Sequence, residues 1–248
     1  MFSKKYKQYI KKQQHILNAI SRTYAIPIGW LPNEIKLIVS NAYILFRIAD
    51  SIEDSPHLSL DQKKKLFYLF DIALIDVTKQ HQFQLQMLEL IGSDRLSELI
   101  VLEEHFDSVF EVFNEVEKNY QRIITQRLRI TMNGMIKYAK RKSNSSVMIE
   151  SRAMLDEYIF FVAGNVGYLI YDILSEKKIF DKKDPRIKPF CLNLGQSLQL
   201  TNILIDKNED AQHGRYWFPG SSSLGQRSIA LYANEDRKST RLNSSHQI

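Results

Sequence analysis

The sequence predicts an all-α fold. Glycine and proline are scarce, nine and six in 248 residues, and Leu, Ile, Lys, Gln and Glu dominate, a composition that favours helices over short strands joined by turns. Apolar residues recur at helical spacing over long stretches with few interruptions. A content of 44% hydrophobic and 11% aromatic residues is enough to bury a core, as one large domain or two small ones.

The spacing predicts helices over 5–20, 33–53, 61–79, 94–118, 119–141, 150–175 and 187–208. Pro32 stands at the entry of the second of these and Pro56 just past its end, positions where proline is tolerated or stops a helix. "KRKSNSS" (140–146) and "SEKKIFDKKDP" (175–185) read as exposed loops. "YIFFVAGNVGYLIYDIL" from Tyr158 is the longest apolar run, and Asn165 and Asp172 within it mark a buried core helix rather than a bilayer span. The start, "MFSKKYKQYIKKQQHI", is positively charged but lacks the apolar core of roughly 7–15 residues that a secretory signal needs. After Pro219 the chain offers little for a core, and its last residues, "RKSTRLNSSHQI", resemble adapter-encoded sequence. The expected organisation is one helical domain over 1–220, incomplete at its C-terminus, and a disordered, partly non-native tail over 221–248.

Cys191 is the single cysteine, which rules out an internal disulfide framework or a multi-cysteine zinc site and fits a reducing cytoplasm. The net charge of +6 suits an anionic partner or plain solubility. Lys4, Lys5, Lys7, Lys11 and Lys12 give the first helix a basic face that is either solvated or rests on anionic lipid. No nucleic-acid-binding motif accompanies them, so nucleic acid is not an expected partner.

Two stretches depart from ordinary helix chemistry. Tyr43, Arg47, Asp50 and Asp54 lie at offsets 0, 4, 7 and 11 and share one helix face, with Glu53 beside them. Gln199, Asn202, Asp206 and Asp210 repeat the design at offsets 0, 3, 7 and 11, with Glu209 before the last aspartate. Each stripe thus ends in an Asp-x-x-x-Asp pair near a helix C-terminus, where the macrodipole disfavours negative charge. Stability alone argues against that placement. If the two ends face one another, their mutual repulsion calls for cations or raised pKa values. Mg²⁺ fits, because it takes oxygen ligands and is commonly held by one or two carboxylates plus substrate phosphates. A single such pair would read as solvated surface; two matched copies point to metal-assisted departure of a diphosphate.

At these residues the sequence resembles the squalene and phytoene synthase family of head-to-head prenyl transferases. "RIADSIED" and "NILIDKNEDAQHGRYWFP" resemble its two aspartate-rich motifs, "SRTYAIPI" from Ser21 its Ser-Arg-[Ser/Thr]-aromatic segment, and "YIFFVAGNVG" its Tyr-x-x-x-Val-Ala-Gly-x-Val-Gly helix. The similarity spans about residues 15–220 in the family's order. It implies an isoprenoid-synthase-type helical bundle around a central cavity that accepts two allylic diphosphates, joins them into a cyclopropyl diphosphate, and rearranges that product to a linear hydrocarbon. It further implies that Asp50, Glu53, Asp54, Asp206 and Asp210 hold Mg²⁺, with Asp206 and Asp210 also counted as catalytic. Arg22, Arg47 and Arg215 would hold diphosphate oxygens, for which a planar guanidinium fork is suited. Tyr43 and Tyr158 would line the cavity as catalytic tyrosines, and Gln199 and Asn202 would be polar cavity residues. For Tyr158 the alternative is a core tyrosine, and for Gln199 and Asn202 helix–helix hydrogen bonds.

Two departures stand out. Ile205 occupies the position before the second motif's first aspartate, where the family carries a basic residue. The family also continues with further helices after the Trp-Phe-Pro-like segment, so a chain ending soon after "RYWFP" is expected to expose apolar surface. "YIFFVAGNVG" and the tryptophan of "RYWFP" lean towards two C15 farnesyl diphosphates, and "LQLTNIL" towards C20 geranylgeranyl diphosphate and phytoene. NADPH is required if squalene is released, and loss of a proton suffices otherwise. A non-catalytic member acting in complex assembly is the remaining alternative, disfavoured by the retained acidic pairs.

Overall fold

The computed structural model describes residues 4–21, 24–91, 97–139, 147–208 and 215–217. In order the elements are α1 (Lys4–Ile20), α2 (Ala25–Gly29), α3 (Asn33–Asp54), α4 (Leu60–Ala73), a 3₁₀ turn (Val77–Lys79), α5 (Gln80–Ile91), α6 (Ser97–Glu115), α7 (Lys118–Ala139), β1 (Val147–Met148), α8 (Arg152–Ile159), a π turn (Phe160–Gly164), α9 (Asn165–Glu176), α10 (Ile187–Ile205) and β2 (Arg215–Tyr216).

Helix α3 is the centre of the bundle. Pro32 sets its entry as an extended N-cap residue, and Ser55 closes it with an N–H bond to the Ser51 carbonyl, one residue before Pro56. Thirteen of its side chains are buried, Ile35 through Ile52, so it packs on all sides, against α1, α4, α6, α7 and α9. Around it the aromatic rings of α4, α5 and α6 interlock: Phe70 stacks on Phe83 at 4.8 Å, and Phe110 meets both edge-on. Such pairs each add about 0.5–1.5 kcal/mol beyond the area they bury.

Helix α4 begins at a capping box, in which Ser59 Oγ accepts from the Gln62 N–H and Gln62 Oε1 accepts from the Ser59 N–H. It is shorter than the spacing predicts. Asp76 accepts from both the backbone and hydroxyl of Thr78, an Asx-type turn that breaks the chain and redirects it into α5. That helix was not foreseen, because its glutamine-rich sequence buries only Phe83, Met87 and Ile91.

The long apolar run is an interior element. Residues Arg152–Glu176 are long and apolar enough to cross a bilayer by length and composition, yet they form α8, the π turn and α9, which pack against α7 and α10. Two glycines allow α10 to meet α9 and the π turn backbone to backbone: a Cβ on Gly167 would lie 2.0 Å from the Cys191 carbonyl oxygen, and one on Gly195 would lie 2.4 Å from that of Ala163.

A second, smaller core joins the end of α7, α8, α10 and the last described residues: Tyr138, Ile149, Leu155, Tyr158, Ile159, Ile203 and Trp217. It is assembled by a feature outside the all-α expectation, a two-residue parallel pairing of β1 with β2 in which Val147 faces Arg215 and Met148 faces Tyr216. Among the described residues the opposite side of α10 carries exposed apolar side chains. Phe190, Leu194, Leu198 and Ile205 are 65%, 50%, 39% and 73% exposed.

Candidate active site

The first acidic end is built on the last two turns of α3. Arg47 Nη1 donates to Asp50 Oδ2 at 2.9 Å, both side chains partly shielded from solvent, and Ser51 Oγ donates to the Arg47 carbonyl. Glu53 is half-buried and Asp54 exposed. One turn earlier on the same face, Tyr43 is half-buried; burial pushes its phenol above the ordinary tyrosine value, with Ser21 and Arg47 pulling the other way and Asp50 adding to the rise. Its hydroxyl therefore stays protonated at neutral pH.

Tyr43 is linked to the second motif through a residue for which the sequence assigns no role. Tyr24, directly before α2, lies with its ring 5.6 Å from that of Tyr43. Ser21 fixes this corner, its Oγ accepting from the N–H groups of Tyr24 at 2.9 Å and Ala25 at 3.2 Å. Burial raises the Tyr24 phenol, opposed by a hydrogen bond with the Asn202 side chain of α10. Tyr24 thus stands between the two motifs, its phenol influenced by Asn202 of α10 and its ring against Tyr43, one turn before the Arg47–Asp50 pair on α3. The aromatic of "SRTY" is the sequence signal that could have pointed to Tyr24.

Asn202 and Asp206 are exposed at the end of α10, with Gln199 partly covered one turn before. Asp206 is the C-cap residue, its N–H bonded to the Asn202 carbonyl at 2.8 Å. Ile205 beside it points into solvent. Tyr158 is placed differently from Tyr43. It is 7% exposed within the second core, stacked on Trp217 at 4.6 Å and edge-on to Tyr138 at 5.1 Å. The pairing of β1 with β2 brings Trp217 onto it, and Ile203, adjacent to Asn202, belongs to the same cluster.

Arg22, Glu209 and Asp210 lie outside the described residues, and of Arg215 only its place in β2 is described. Among the described residues no three His, Cys, Asp or Glu side chains come together to hold a metal ion; the expected convergence of five carboxylates includes Asp210, which lies outside them. A cavity of about 330 Å³ lined by Tyr6, Tyr9, Glu34, Glu117 and Lys177 sits at the opposite end of α3, where Lys177 already pairs with Glu34 at 3.2 Å. It is remote from the acidic end.

Comparison with known proteins gives this arrangement a context. The squalene/phytoene synthase family model matches residues 17–229, and the chain belongs to that family. It is 30% identical over 204 residues to squalene synthase ERG9 of Gibberella zeae, covering 82% of this chain and 42% of that protein. It is 28% identical over 203 residues to human squalene synthase, covering 82% and 45%. The chain therefore spans less than half the length of these relatives. Among solved structures, the complex of TcSQS with the ligand BPH1237 superposes with a TM-score of 0.70 at 24% identity, over 86% of this chain and 58% of that one. A dehydrosqualene synthase in complex with ligand gives 0.52 at 21%, over 88% and 63%. The fold is the isoprenoid-synthase-type helical bundle.

Proposed function

We propose that the protein is a head-to-head prenyl transferase that joins two farnesyl diphosphates into presqualene diphosphate and converts this to squalene or dehydrosqualene. The observation that carries the reading is the placement of Tyr24 between the two motifs, against Tyr43 of α3 on one side and Asn202 of α10 on the other, beside the Arg47–Asp50 pair. It ties the helix of the second aspartate-rich motif to the helix of the first, as a shared diphosphate site requires. Family membership supports the reaction class, and the squalene synthases of Gibberella zeae and human support the C15 substrate over the C20 one.

The donor set suits Mg²⁺. Asp50, Glu53 and Asp54 at the end of α3, and Asp206 at the end of α10, are hard oxygen donors at the rim of the bundle. Mg²⁺ is commonly held by one or two carboxylates and completed by diphosphate oxygens, which these donors on two helices can supply. Asp210 would complete the second pair. Bound there, the metal would neutralise charge on the departing diphosphate. Arg47, held in place by Asp50, and Arg22 and Arg215 offer donors that remain charged at any working pH. The protonated Tyr43 hydroxyl can donate to a diphosphate oxygen, and Gln199 and Asn202 supply further donors. Tyr158, stacked on Trp217 within the second core, would serve the carbocation only if that ring pair parts, and as placed it belongs to the aromatic packing behind α10. NADPH enters if squalene is the product. The exposed lysines of α1 suit peripheral contact with an anionic membrane surface.

The test is to incubate the full-length protein with Mg²⁺ and either farnesyl or geranylgeranyl diphosphate, with and without NADPH, and to identify the hydrocarbon. Farnesyl diphosphate should be consumed, and Asp206→Asn should abolish consumption. Turnover by the variant at the parent rate would reject the role of Asp206. Turnover of geranylgeranyl diphosphate alone would move the assignment to phytoene synthesis. Ile205 is the one observation that favours a non-catalytic member, and that reading would be supported by no turnover of either substrate.

A further inference from the structure

Three consecutive lysines open α4, and they are not equivalent. Lys64 Nζ pairs with Asp61 at 2.8 Å and Lys65 Nζ reaches Gln86 at 2.5 Å, both on exposed ground. Lys63 instead occupies the core-facing row of α4 with Leu66, Phe67, Phe70 and Ala73, and is only 4% exposed. A buried ammonium is expensive unless it meets a partner that needs it. Its Nζ donates to the backbone carbonyl of Glu53, in the last turn of α3.

That carbonyl stands in the last turn of α3, and the terminal carbonyls together give a helix C-terminus a partial negative charge of about half a unit. On this terminus stand Asp50, Glu53 and Asp54. Arg47 answers Asp50 on the flank. Lys63 brings its ammonium to the same terminus from the core side. The apolar row of α4 begins with a lysine where the pattern calls for a leucine, which is unexplained by packing and explained by the acidic end above it.

We propose that Lys63 is the built-in counter-ion of the first acidic cluster: a positioning residue that holds the carboxylate-bearing end of α3 in shape until a divalent cation and a diphosphate arrive. The inference rests on the reading of Asp50, Glu53 and Asp54 as metal-holding residues. It states that the lysine and the incoming Mg²⁺ offset the same repulsion, so each matters more when the other is missing.

The test compares thermal unfolding of the parent, Lys63→Met and Lys63→Gln, each in EDTA and each with MgCl₂ and inorganic diphosphate, with NaCl matching ionic strength. Lys63→Gln retains a donor for the Glu53 carbonyl but not the charge. Both variants should melt below the parent in EDTA. The Mg²⁺ and diphosphate shift should be larger in both than in the parent, by about 3 °C for each kcal/mol of repulsion left uncompensated. If Lys63→Met does not fold, the glutamine variant alone decides. An equal shift in the parent and Lys63→Gln would overturn the counter-ion role and reduce Lys63 to a helix cap. No shift in the parent or either variant would overturn the metal-holding reading as well.

Discussion

The Thr131 hydroxyl donates a 2.7 Å hydrogen bond to the Phe161 carbonyl oxygen, inside the π turn where the regular four-residue ladder of the apolar helix is interrupted. Thr131 is itself an acceptor for Asn165 Nδ2 at 3.0 Å, and the same amide donates to the Arg127 carbonyl at 2.6 Å. Arg127 Nη1 donates to Asn165 Oδ1, and its Nε and Nη2 both donate to Asp172 Oδ2. The π turn that follows Tyr158 is thus tied to α7 by a buried, mutually satisfied network. Such networks are costly to break at one member.

Thr131→Val is therefore expected to cost about 1–3 kcal/mol, because it leaves a carbonyl and an amide without their partner in a dry interior. Urea unfolding measures it. Adding Asn165→Leu should cost less than the sum of the two single changes, since both remove the same bond. Strict additivity would mean that the two groups act independently.

Much of this fold is legible in the sequence, and what is not has identifiable causes. The helix of "YILFRIADSIED" is plain because apolar periodicity, Pro32 and Pro56 agree. Arg47 and Asp50 meet because they are three residues apart on one helix. The link from Asn202 to Tyr24 joins residues 178 positions apart, and no local pattern encodes it. Trp217 covers Tyr158 through a two-residue strand pairing, too short to leave a period. Asn165 and Asp172 mark the apolar run as interior, but their partners Arg127 and Thr131 lie on a separate helix.

Lys178 is the one described non-glycine residue with positive φ, at 58°. It follows α9 in a Schellman arrangement, with the Ile179 N–H on the Leu174 carbonyl at 2.9 Å. A left-handed conformation costs a side-chain-bearing residue about 1 kcal/mol that glycine avoids. Lys178→Gly should accordingly raise the melting temperature by about 2–4 °C. A lower melting temperature would mean that the exposed lysine contributes contacts of its own.

Cys191 is 6% exposed, and burial pushes its thiol above the ordinary cysteine value. A raised pKa leaves less thiolate at any given pH, so alkylation should be slow in the native protein and should accelerate on unfolding. Its rate should still be climbing above pH 9, where a free thiol of pKa about 8.5 is levelling off. Rapid native alkylation at neutral pH would show that the contact between α9 and α10 opens readily.

Ile205 is 73% exposed at the last position of α10, next to Asp206. Replacing it with arginine removes no buried surface, and a cation at a helix C-terminus is favourable by about 0.3–1 kcal/mol. Ile205→Arg should therefore melt at or slightly above the parent temperature. If the acidic ends receive a diphosphate, the new guanidinium stands beside it and can form charge-assisted hydrogen bonds. The KM for farnesyl diphosphate should then fall about tenfold, the equivalent of 1.4 kcal/mol, while Ile205→Ala leaves it unchanged. An unchanged KM in the arginine variant, with an unchanged melting temperature, would place the end of α10 away from the diphosphate and remove Asp206 from the site.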